Sequence, residues 1–498
     1  MHLDEYLSSD ATALAALVAD KQVTAAELLT LARQRLDQVN PTINAVVRML
    51  DQVADARAAE QLTGPFAGVP FLVKDLAQEY AGFPTSNGSR ALANDVAEEH
   101  AVVTQRFLDA GLVVFGKTNT PEFGAKGITE DDFLGRARNP WNPAHTPGGS
   151  SGGSGAAVAA GIVPAAGAND GGGSVRIPAA CNGLVGLKLS RGLTPYGPQE
   201  SEPMFGMVTQ GVVSRTVRDS AALLDAIVGA PARYAAYVAG APDPFLPRLD
   251  QRPARLRIGF TVASAINPSP DPEAVAAVES AATLLTELGH EVEPVEPPHD
   301  DEALARDFLT IWFAQLHGQI RSIKARLGSS DSAFAADSLA VAEIGRAAGV
   351  GALFASLDNV NTHIRALDDF HQRYDLLLTP TLAKPPLEVG SVDTPAMLQR
   401  ASRVIAKVRA GKLLNATGIL DQLITDNLGW VPYTQLANIT GRPAISVPLH
   451  WTAARLPLGV QFVGPLASDG LLLRLAAELE QARPWFHRYA ELHPSLST

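Results

Sequence analysis

The sequence contains a single cysteine, Cys181, among its 498 residues. One cysteine excludes an intramolecular disulfide and a cysteine metal cluster. Its neighbours in Pro178-Ala-Ala-Cys-Asn-Gly are small and mostly apolar, which favours a buried core residue over a nucleophile. No histidine spacing of the His-Glu-x-x-His type occurs either. The sequence therefore predicts neither a metal ion nor another cofactor.

Basic residues are also scarce. Lys and Arg together number 40 against 52 Asp and Glu, which gives a net charge of −12. Proteins that bind nucleic acid or anionic membranes usually carry a basic stripe, and no long run of Lys and Arg occurs in this chain. We therefore expect neither nucleic acid nor a membrane as a partner.

Long apolar runs are missing as well. The most apolar stretch, residues 156–168, is interrupted by Pro164, whereas a membrane span needs about 20 apolar residues. This stretch predicts a buried helix that leads into a turn. The first residues lack the basic segment and apolar run of a secretion signal. We expect a cytoplasmic protein, either a monomer or a homodimer.

Hydrophobic residues are abundant, at 46%, and predict a large buried core. Short apolar segments alternate with helical patterns. Residues 68–75 and 112–116 resemble buried strands, and residues 102–110 resemble a helix between them. Alternation at this spacing predicts an α/β fold with a largely buried sheet. A segment rich in Pro and Arg, residues 231–256, predicts a linker.

The most unusual segment is Thr146-Pro-Gly-Gly-Ser-Ser-Gly-Gly-Ser-Gly155, directly before an Ala-rich helix. Dense glycines let a backbone approach a ligand closely. A phosphate-binding loop would need Gly-Lys-Ser or Gly-Lys-Thr at its end, which this segment lacks. A nucleophile elbow formally matches Gly149-Ser-Ser-Gly-Gly, but an elbow follows an apolar strand and this one follows a loop. A flexible linker is seldom followed directly by an apolar helix.

A second Gly-Ser cluster, Asn169-Asp-Gly-Gly-Gly-Ser-Val-Arg-Ile-Pro178, supports another interpretation. Together the two clusters closely resemble the signature of the amidase signature family. Further matching segments are Val69-Pro-Phe-Leu-Val-Lys-Asp75, Gly116-Lys-Thr-Asn-Thr-Pro-Glu-Phe, Gly186-Leu-Lys, Ser214-Arg-Thr-Val-Arg-Asp and Ala437-Asn-Ile-Thr-Gly-Arg-Pro. Within the family, residues 138–142 and 433–441 look similar to bacterial hydrolases of cyclic nylon oligomers.

The resemblance implies one large domain with a central mixed sheet covered by helices on both faces. In this organisation residues 1–60 form an N-terminal helical segment and residues 61–230 form the signature core. Residues 231–430 form a variable, mostly helical region around the substrate pocket. Residues 431–498 add strands and a helix that complete the core.

The resemblance also implies a role for each matching residue. Ser174 is the expected nucleophile, which forms an acyl-enzyme. Ser150, on a cis peptide bond, is expected to relay the proton to Lys74, the base. Backbone N–H groups of Gly171, Gly172, Gly173 and Ser174 are expected to form the oxyanion hole. Gly171 and Asn169 depart from the residues that the family commonly has at these positions.

A lysine base is physically demanding because the free side chain has a pKa of about 10.4. Lowering this pKa to near 7 takes about 4 kcal/mol, and burial alone can lower a lysine pKa by about 3–5. A neutral wall around Lys74 could therefore suffice. Asp75 need not pair with Lys74, since successive strand residues point to opposite faces. Asp170 and Arg176 are expected to brace the turn by an ion pair.

Other residues carry weaker signals. Five of the histidines, at positions 145, 317, 363, 371 and 450, fit no Ser-His-Asp arrangement. Four apolar residues indicate either an apolar pocket or plain core: Met207, Trp312, Phe313 and Phe354.

The residues and the resemblance together predict a serine hydrolase of amides, aryl amides, lactams or carbamates, which prefers small neutral or hydrophobic amides to glutamine. One alternative is the glutamine-hydrolysing A subunit of a tRNA-dependent amidotransferase. The other is a catalytically inactive binding protein, which intact Lys74, Ser150 and Ser174 argue against.

Overall fold

The computed structural model describes residues 1–229, 234–236, 240, 242–394, 399, 400, 403, 407, 424, 425 and 428–496. The linker predicted at residues 231–256 lies partly outside these residues, as does much of the last part of the region 231–430. The predicted division into four segments stays a prediction.

One mixed sheet of eleven strands forms the centre of the molecule. Its strands in chain order are β1 (Val46–Met49), β2 (Pro70–Lys74), β3 (Val113–Thr118), β4 (Ala165–Asp170), β5 (Val185–Lys188), β6 (Thr209–Ser214), β7 (Arg257–Phe260), β8 (Glu291–Pro294), β9 (Leu376–Pro380), β10 (Ala444–Trp451) and β11 (Pro457–Val463). The spatial order is β1-β3-β2-β4-β6-β5-β10-β11-β9-β7-β8. This architecture confirms the predicted α/β fold.

Strand direction changes across the sheet. β2 pairs in parallel with β3 and β4, and β7 pairs in parallel with β8 and β9. The strands between these two groups, from β4 to β9, pair antiparallel. β2 and β4 are neighbours and their carboxyl ends share one edge of the sheet. Lys74 ends β2, and the second Gly-Ser cluster follows β4 directly, so this edge brings both segments together.

Fourteen α-helices are found in the described residues. They are α1 (Leu3–Leu7), α2 (Ala11–Ala19), α3 (Ala25–Ile43), α4 (Asp51–Ala58), α5 (Val102–Asp109), α6 (Gly152–Ala159), α7 (Arg176–Asn182), α8 (Val217–Ile227), α9 (Pro272–Glu287), α10 (Asp301–Leu327), α11 (Ala336–His371), α12 (Gln435–Thr440), α13 (Asp469–Ala482) and α14 (Arg488–Ser495). Thr24 begins α3 with a capping box completed by Glu27, as its Thr-x-x-Glu pattern predicts.

The prediction for residues 156–168 is partly wrong. The helix α6 ends at Ala159, and β4 begins at Ala165. Gly161 adopts a φ of 80°, which together with Pro164 prevents the helix from continuing. Every residue of β4 is buried, and a strand buried on both faces lacks the alternating pattern that reveals strands in a sequence.

One described helix, α11, has the length and hydropathy of a membrane span, a property that helices in protein cores share. Its backbone leaves helical geometry at Gly349, and the helix packs along α10. About a third of its most apolar window is buried against other parts of the chain.

Candidate active site

Lys74 is positioned by a fully buried strand of the sheet. It is the last residue of β2, all of whose residues are buried, and its own side chain is 0% exposed. The side-chain oxygen of Gln78 accepts a hydrogen bond from the Lys74 backbone N–H at 2.7 Å. The end of β2 therefore places the lysine side chain in the protein interior, where burying a charged ammonium costs free energy.

The amine of Lys74 has two neutral partners. Its Nζ lies 2.7 Å from Ser150 Oγ and 2.8 Å from Asn169 Oδ1. Among the described residues no carboxylate forms an ion pair with it. Asp75 instead accepts hydrogen bonds from Ser86 and lies 3.9 Å from the Nζ of Lys117.

These surroundings favour the uncharged amine. Burial lowers the pKa of Lys74 well below its ordinary value, and the negative charge of Asp170 only partly opposes this. Asn169 Oδ1 accepts a hydrogen bond from either protonation state, so it orients the amine without fixing its charge. The sequence singled out Asn169 as unusual but did not identify it as a partner of Lys74.

The first Gly-Ser cluster forms a tight turn that places Ser150 beside this amine. The peptide bond between Gly149 and Ser150 is cis. A Cβ at Gly149 would lie 2.6 Å from the backbone carbon of Ile128, so only glycine fits there. The hydroxyl of Thr129 donates to the carbonyl oxygen of Gly148 and accepts from the N–H of Gly152. Thr129 thereby holds the turn on both sides of Ser150.

The second cluster carries Ser174 on the turn between β4 and α7. Asp170 and Arg176 form a fully buried ion pair with two hydrogen bonds, each of 2.9 Å. Burial acts to raise the pKa of Asp170, but the charge and hydrogen bonds of Arg176 outweigh it and lower the pKa below its ordinary value. Asp170 also accepts from the N–H groups of Gly173 and Val175. The predicted brace by Asp170 and Arg176 is confirmed.

The four candidate oxyanion donors are not equivalent. The N–H of Gly173 donates to Asp170 Oδ1 at 2.7 Å, so this group is already occupied. In the described part of the chain no acceptor is found for the N–H groups of Gly171, Gly172 and Ser174. The structure therefore differs from the expectation at Gly173, whose N–H shapes the turn and is not free for substrate.

Helix α12 and the residue before it support this turn through hydrogen bonds. The carbonyl oxygen of Gly172 accepts from Thr434 Oγ1 at 2.7 Å and from Gln435 Nε2 at 3.2 Å. Asn438 donates to Asp170 and accepts from Arg176. The sequence analysis noted residues 433–441 as a match to relatives but missed this supporting role, because no short-range pattern links them to the turn more than 250 residues earlier.

Ser150 and Ser174 both line one cavity of about 130 Å³. Apolar residues contribute much of its wall, among them Leu76, Phe123, Met204, Phe308 and Trp312.

Of the four apolar candidates, only Trp312 lines this cavity. Phe313 and Met207 are buried in the core, and Phe354 is 60% exposed. The sequence missed Phe308 because it follows the same helical spacing as its core neighbours.

The remaining candidates lie apart from this cavity. Cys181 is fully buried and free, as predicted, and burial raises the pKa of its thiol. His363 contacts Asp307 at 2.9 Å and His450 contacts Glu273 at 2.7 Å, with no serine in either pair. No cluster of three or more potential metal ligands occurs in the part of the chain that the structure describes.

Comparison with known proteins places this arrangement in a family. The family model described as Amidase matches residues 27–473. The 6-aminohexanoate-cyclic-dimer hydrolase of Pseudomonas sp. (strain NK87) is 35% identical, with 98% of this chain and 97% of that protein covered. A structure of 6-aminohexanoate cyclic dimer hydrolase complexed with substrate superimposes with a TM-score of 0.89 at 33% identity, covering 98% of this chain and 99% of that one.

A bacterial aryl acylamidase of the amidase signature family also superimposes, with a TM-score of 0.84 at 27% identity over 97% of this chain and 98% of that one. Sequence and fold thus agree over nearly the whole length of the chain. The chain belongs to the amidase signature family of hydrolases that act on amide bonds.

Proposed function

We propose that the protein hydrolyses the carbon–nitrogen acyl bond of small-molecule amides through an acyl-enzyme on Ser174, with Ser150 as proton relay and Lys74 as base. The observation that carries this proposal is the environment of Lys74. A fully buried amine that has two neutral partners and, among the described residues, no carboxylate contact is suited to act as a base.

The proposed reaction gives each of these residues one role. Lys74 accepts the proton of Ser150 while Ser150 accepts that of Ser174, whose oxygen attacks the substrate carbonyl. The N–H groups of Gly171, Gly172 and Ser174 stabilise the oxyanion. The ammonium of Lys74 then returns the proton through Ser150 to the leaving amine, and the C–N bond breaks. Water repeats the sequence on the acyl-enzyme, which releases the acid and restores Ser174.

The cavity supports a preference for neutral or hydrophobic groups next to the scissile bond. Its wall beside Ser174 is formed by side chains such as Phe308, Trp312 and Val431. Aryl amides, lactams and carbamates share the planar carbonyl that this site would hold, and relatives named for aryl acylamide and cyclic amide hydrolysis support that range. Glutamine would bring an ionised α-carboxylate into the same cavity at a desolvation cost.

Steady-state assays with an anilide, a carbamate ester and glutamine test the proposal. We expect turnover of the anilide or the carbamate in preference to glutamine, and no turnover by the Ser174→Ala variant with its fold intact. A fluorophosphonate probe should label Ser174. The matched control is Ser332→Ala, an exposed serine, which should behave as wild type. Faster turnover of glutamine, normal activity of Ser174→Ala, or labelling of another serine would contradict the proposal.

A further inference from the structure

A second and larger cavity, which we call the vestibule, opens beside the cavity of Ser174. Its volume is about 810 Å³. Seven of the described residues line both cavities: Leu76, Ala77, Phe123, Tyr196, Glu200, Gln315 and Gln319. A substrate whose amide lies at Ser174 can therefore extend past these shared residues into the vestibule.

The vestibule wall carries an excess of carboxylates. Glu79, Asp95, Glu98, Glu99 and Glu200 line it, whereas Arg326 is the one basic side chain among its described lining residues. Arg326 already forms two hydrogen bonds with Asp95, of 2.7 and 2.6 Å. The vestibule wall is thus strongly negative, whereas Glu200 is the one carboxylate among the described residues that line the adjoining cavity.

Glu79 and Glu200 lack a compensating cation. Desolvation raises the pKa of both carboxyls, and the charge of Glu200 raises that of Glu79 further. The charge of Lys117 acts in the opposite direction on Glu79, but the Lys117 ammonium donates to Thr85 and to the carbonyl oxygen of Pro84. No ion pair to Glu79 or Glu200 is found within the described ranges. Glu200 is exposed and accepts a hydrogen bond from Gln319 Nε2 at 3.4 Å, so the described residues leave both carboxylates without a counter-charge at the vestibule wall.

Tyr196 gives an independent indication of a ligand. Its side chain is only 8% exposed, and its hydroxyl has no hydrogen-bond partner among the residues that the structure describes. Buried hydroxyls are nearly always hydrogen-bonded. Burial raises the pKa of Tyr196, and the charges of Glu200 and Glu79 raise it further, so the ring lies within the field of both carboxylates. Because Tyr196 lines both cavities, its unused hydroxyl marks the passage between them.

We propose that the vestibule binds an ammonium group at the far end of the substrate, with Glu79, Glu200 and the hydroxyl of Tyr196 as acceptors. An ammonium offers three donors, which matches these three groups. The preferred substrate is then an amide whose scissile bond is joined by an apolar chain to a terminal amine. A terminal carboxylate would be repelled. This inference rests on the proposed function, since it identifies the substrate class of the same site.

Matched substrates test the inference. The 4-nitroanilides of 6-aminohexanoic acid and heptanoic acid have chains of equal length that end in an ammonium or a methyl group. N-(6-aminohexyl)acetamide and N-heptylacetamide carry the same pair of chain ends, an ammonium or a methyl group, on the nitrogen side of the amide bond. We expect kcat/KM to favour the ammonium member of at least one pair by about tenfold or more, and added salt to reduce this ratio. Equal kcat/KM within both pairs, or preference for the methyl member, would overturn the inference.

Variants assign the effect to the named residues. In Glu200→Gln, Glu79→Gln and Tyr196→Phe we expect the ammonium-to-methyl ratio to fall by about threefold to tenfold, through a higher KM for the ammonium substrate. The matched control is Glu287→Gln, an exposed glutamate on α9 that lines neither cavity and should keep the wild-type ratio. An unchanged ratio in all three vestibule variants would contradict the assignment.

A binding measurement separates this inference from the proposed function. Calorimetry with Ser174→Ala and the two anilides reports affinity without turnover. Tighter binding of the ammonium anilide supports the vestibule even if no amide is hydrolysed by the wild type, an outcome that would refute the proposed function alone. Turnover of the heptanoyl anilide, with equal binding within the anilide pair and within the acetamide pair measured in the same way, would refute the vestibule and leave the proposed function standing.

Discussion

Replacing Gly172 by alanine should impair catalysis by displacing the turn that carries the oxyanion donors. A Cβ at Gly172 would lie 2.7 Å from Cζ of Phe308, whereas carbon atoms pack at about 3.5–4.0 Å. Phe308 is buried and packs against Trp312, with ring centroids 5.7 Å apart. Because Phe308 also lines the cavity, the ring can take up part of the missing distance, and we expect the turn at Gly172 to shift by the rest.

The size of the effect follows from what the turn holds. Overpacking a buried site costs about 1–3 kcal/mol. A shift at Gly172 would also strain the hydrogen bonds of its carbonyl oxygen with Thr434 and Gln435. Each oxyanion donor is worth about 2.7–4 kcal/mol in the transition state. Partial displacement of the donors should lower kcat by about 30-fold to 300-fold with little change in KM.

The assay is steady-state hydrolysis of a neutral anilide, with two comparison variants. Gly171→Ala is the matched control, because its Cβ would lie 3.2 Å from a methyl carbon of Val208 and needs only a small adjustment. Phe308→Leu combined with Gly172→Ala makes room for the new methyl group and should recover about tenfold or more of kcat, as a double-mutant cycle would measure. A wild-type kcat in Gly172→Ala, or no recovery in the double variant, would refute the reasoning.

Three further predictions concern the groups around this turn. In Lys74→Met, turnover should be lost and the pH dependence of stability should change. Between the depressed folded pKa of Lys74 and about 10.4, the unfolded wild-type chain binds one proton more than the folded protein, so the unfolding free energy of the wild type rises by about 1.4 kcal/mol per pH unit relative to the variant. A difference in unfolding free energy that stays constant with pH would contradict an uncharged amine. Arg176→Met should destabilise the fold by about 3–5 kcal/mol, because it leaves Asp170 charged and buried. Adding Asp170→Asn should restore part of that loss, as measured by denaturant unfolding. Equal stability of the single and the double variant would argue against a bracing role of the ion pair. Thr434→Val should lower kcat about fivefold at constant KM, because Gly172 loses one hydrogen bond worth about 1 kcal/mol, and an unchanged kcat would exclude this support.

Much of the fold could be predicted from the sequence where local patterns agree with tertiary structure. The apolar runs before Lys74 and around Val114 lie in the sheet as predicted, and α5 (Val102–Asp109) matches the helix predicted at residues 102–110. β4 escaped prediction because its small residues, Ala165 to Asp170, are buried on both faces and show no alternation. β1 escaped prediction for a different reason: its four residues, which lie between helices α3 and α4, give too short a pattern.

The site could be predicted in part because its members lie in two glycine-rich turns with a recognisable sequence. What the sequence did not reveal are contacts over long separations. Asn169 approaches Lys74 from another strand, and Thr434 reaches Gly172 from the far end of the chain. Gly173 illustrates a second limit: a glycine in the right place need not offer its N–H, because Asp170 occupies that donor. Hydrogen-bond partners of this kind are decided by the packed structure.

The charges around Lys74 explain how one protein can keep a lysine uncharged beside an ionised carboxylate. Asp170 acts to raise the pKa of Lys74, yet its own charge is bound by two hydrogen bonds from Arg176 and by Asn438. The charges of Asp170 and Arg176 therefore largely cancel at the position of the amine. Among the described residues, Ser150 and Asn169 are the hydrogen-bond partners of the amine. Of the carboxylates without an ion pair among the described residues, Glu79 lines the vestibule and Glu200 lines both cavities. The charge of Asp170 is thus neutralised by Arg176, whereas Glu79 and Glu200 form no ion pair among the described residues. A substrate ammonium would therefore bind these two carboxylates and would not compete with Lys74 for Asp170.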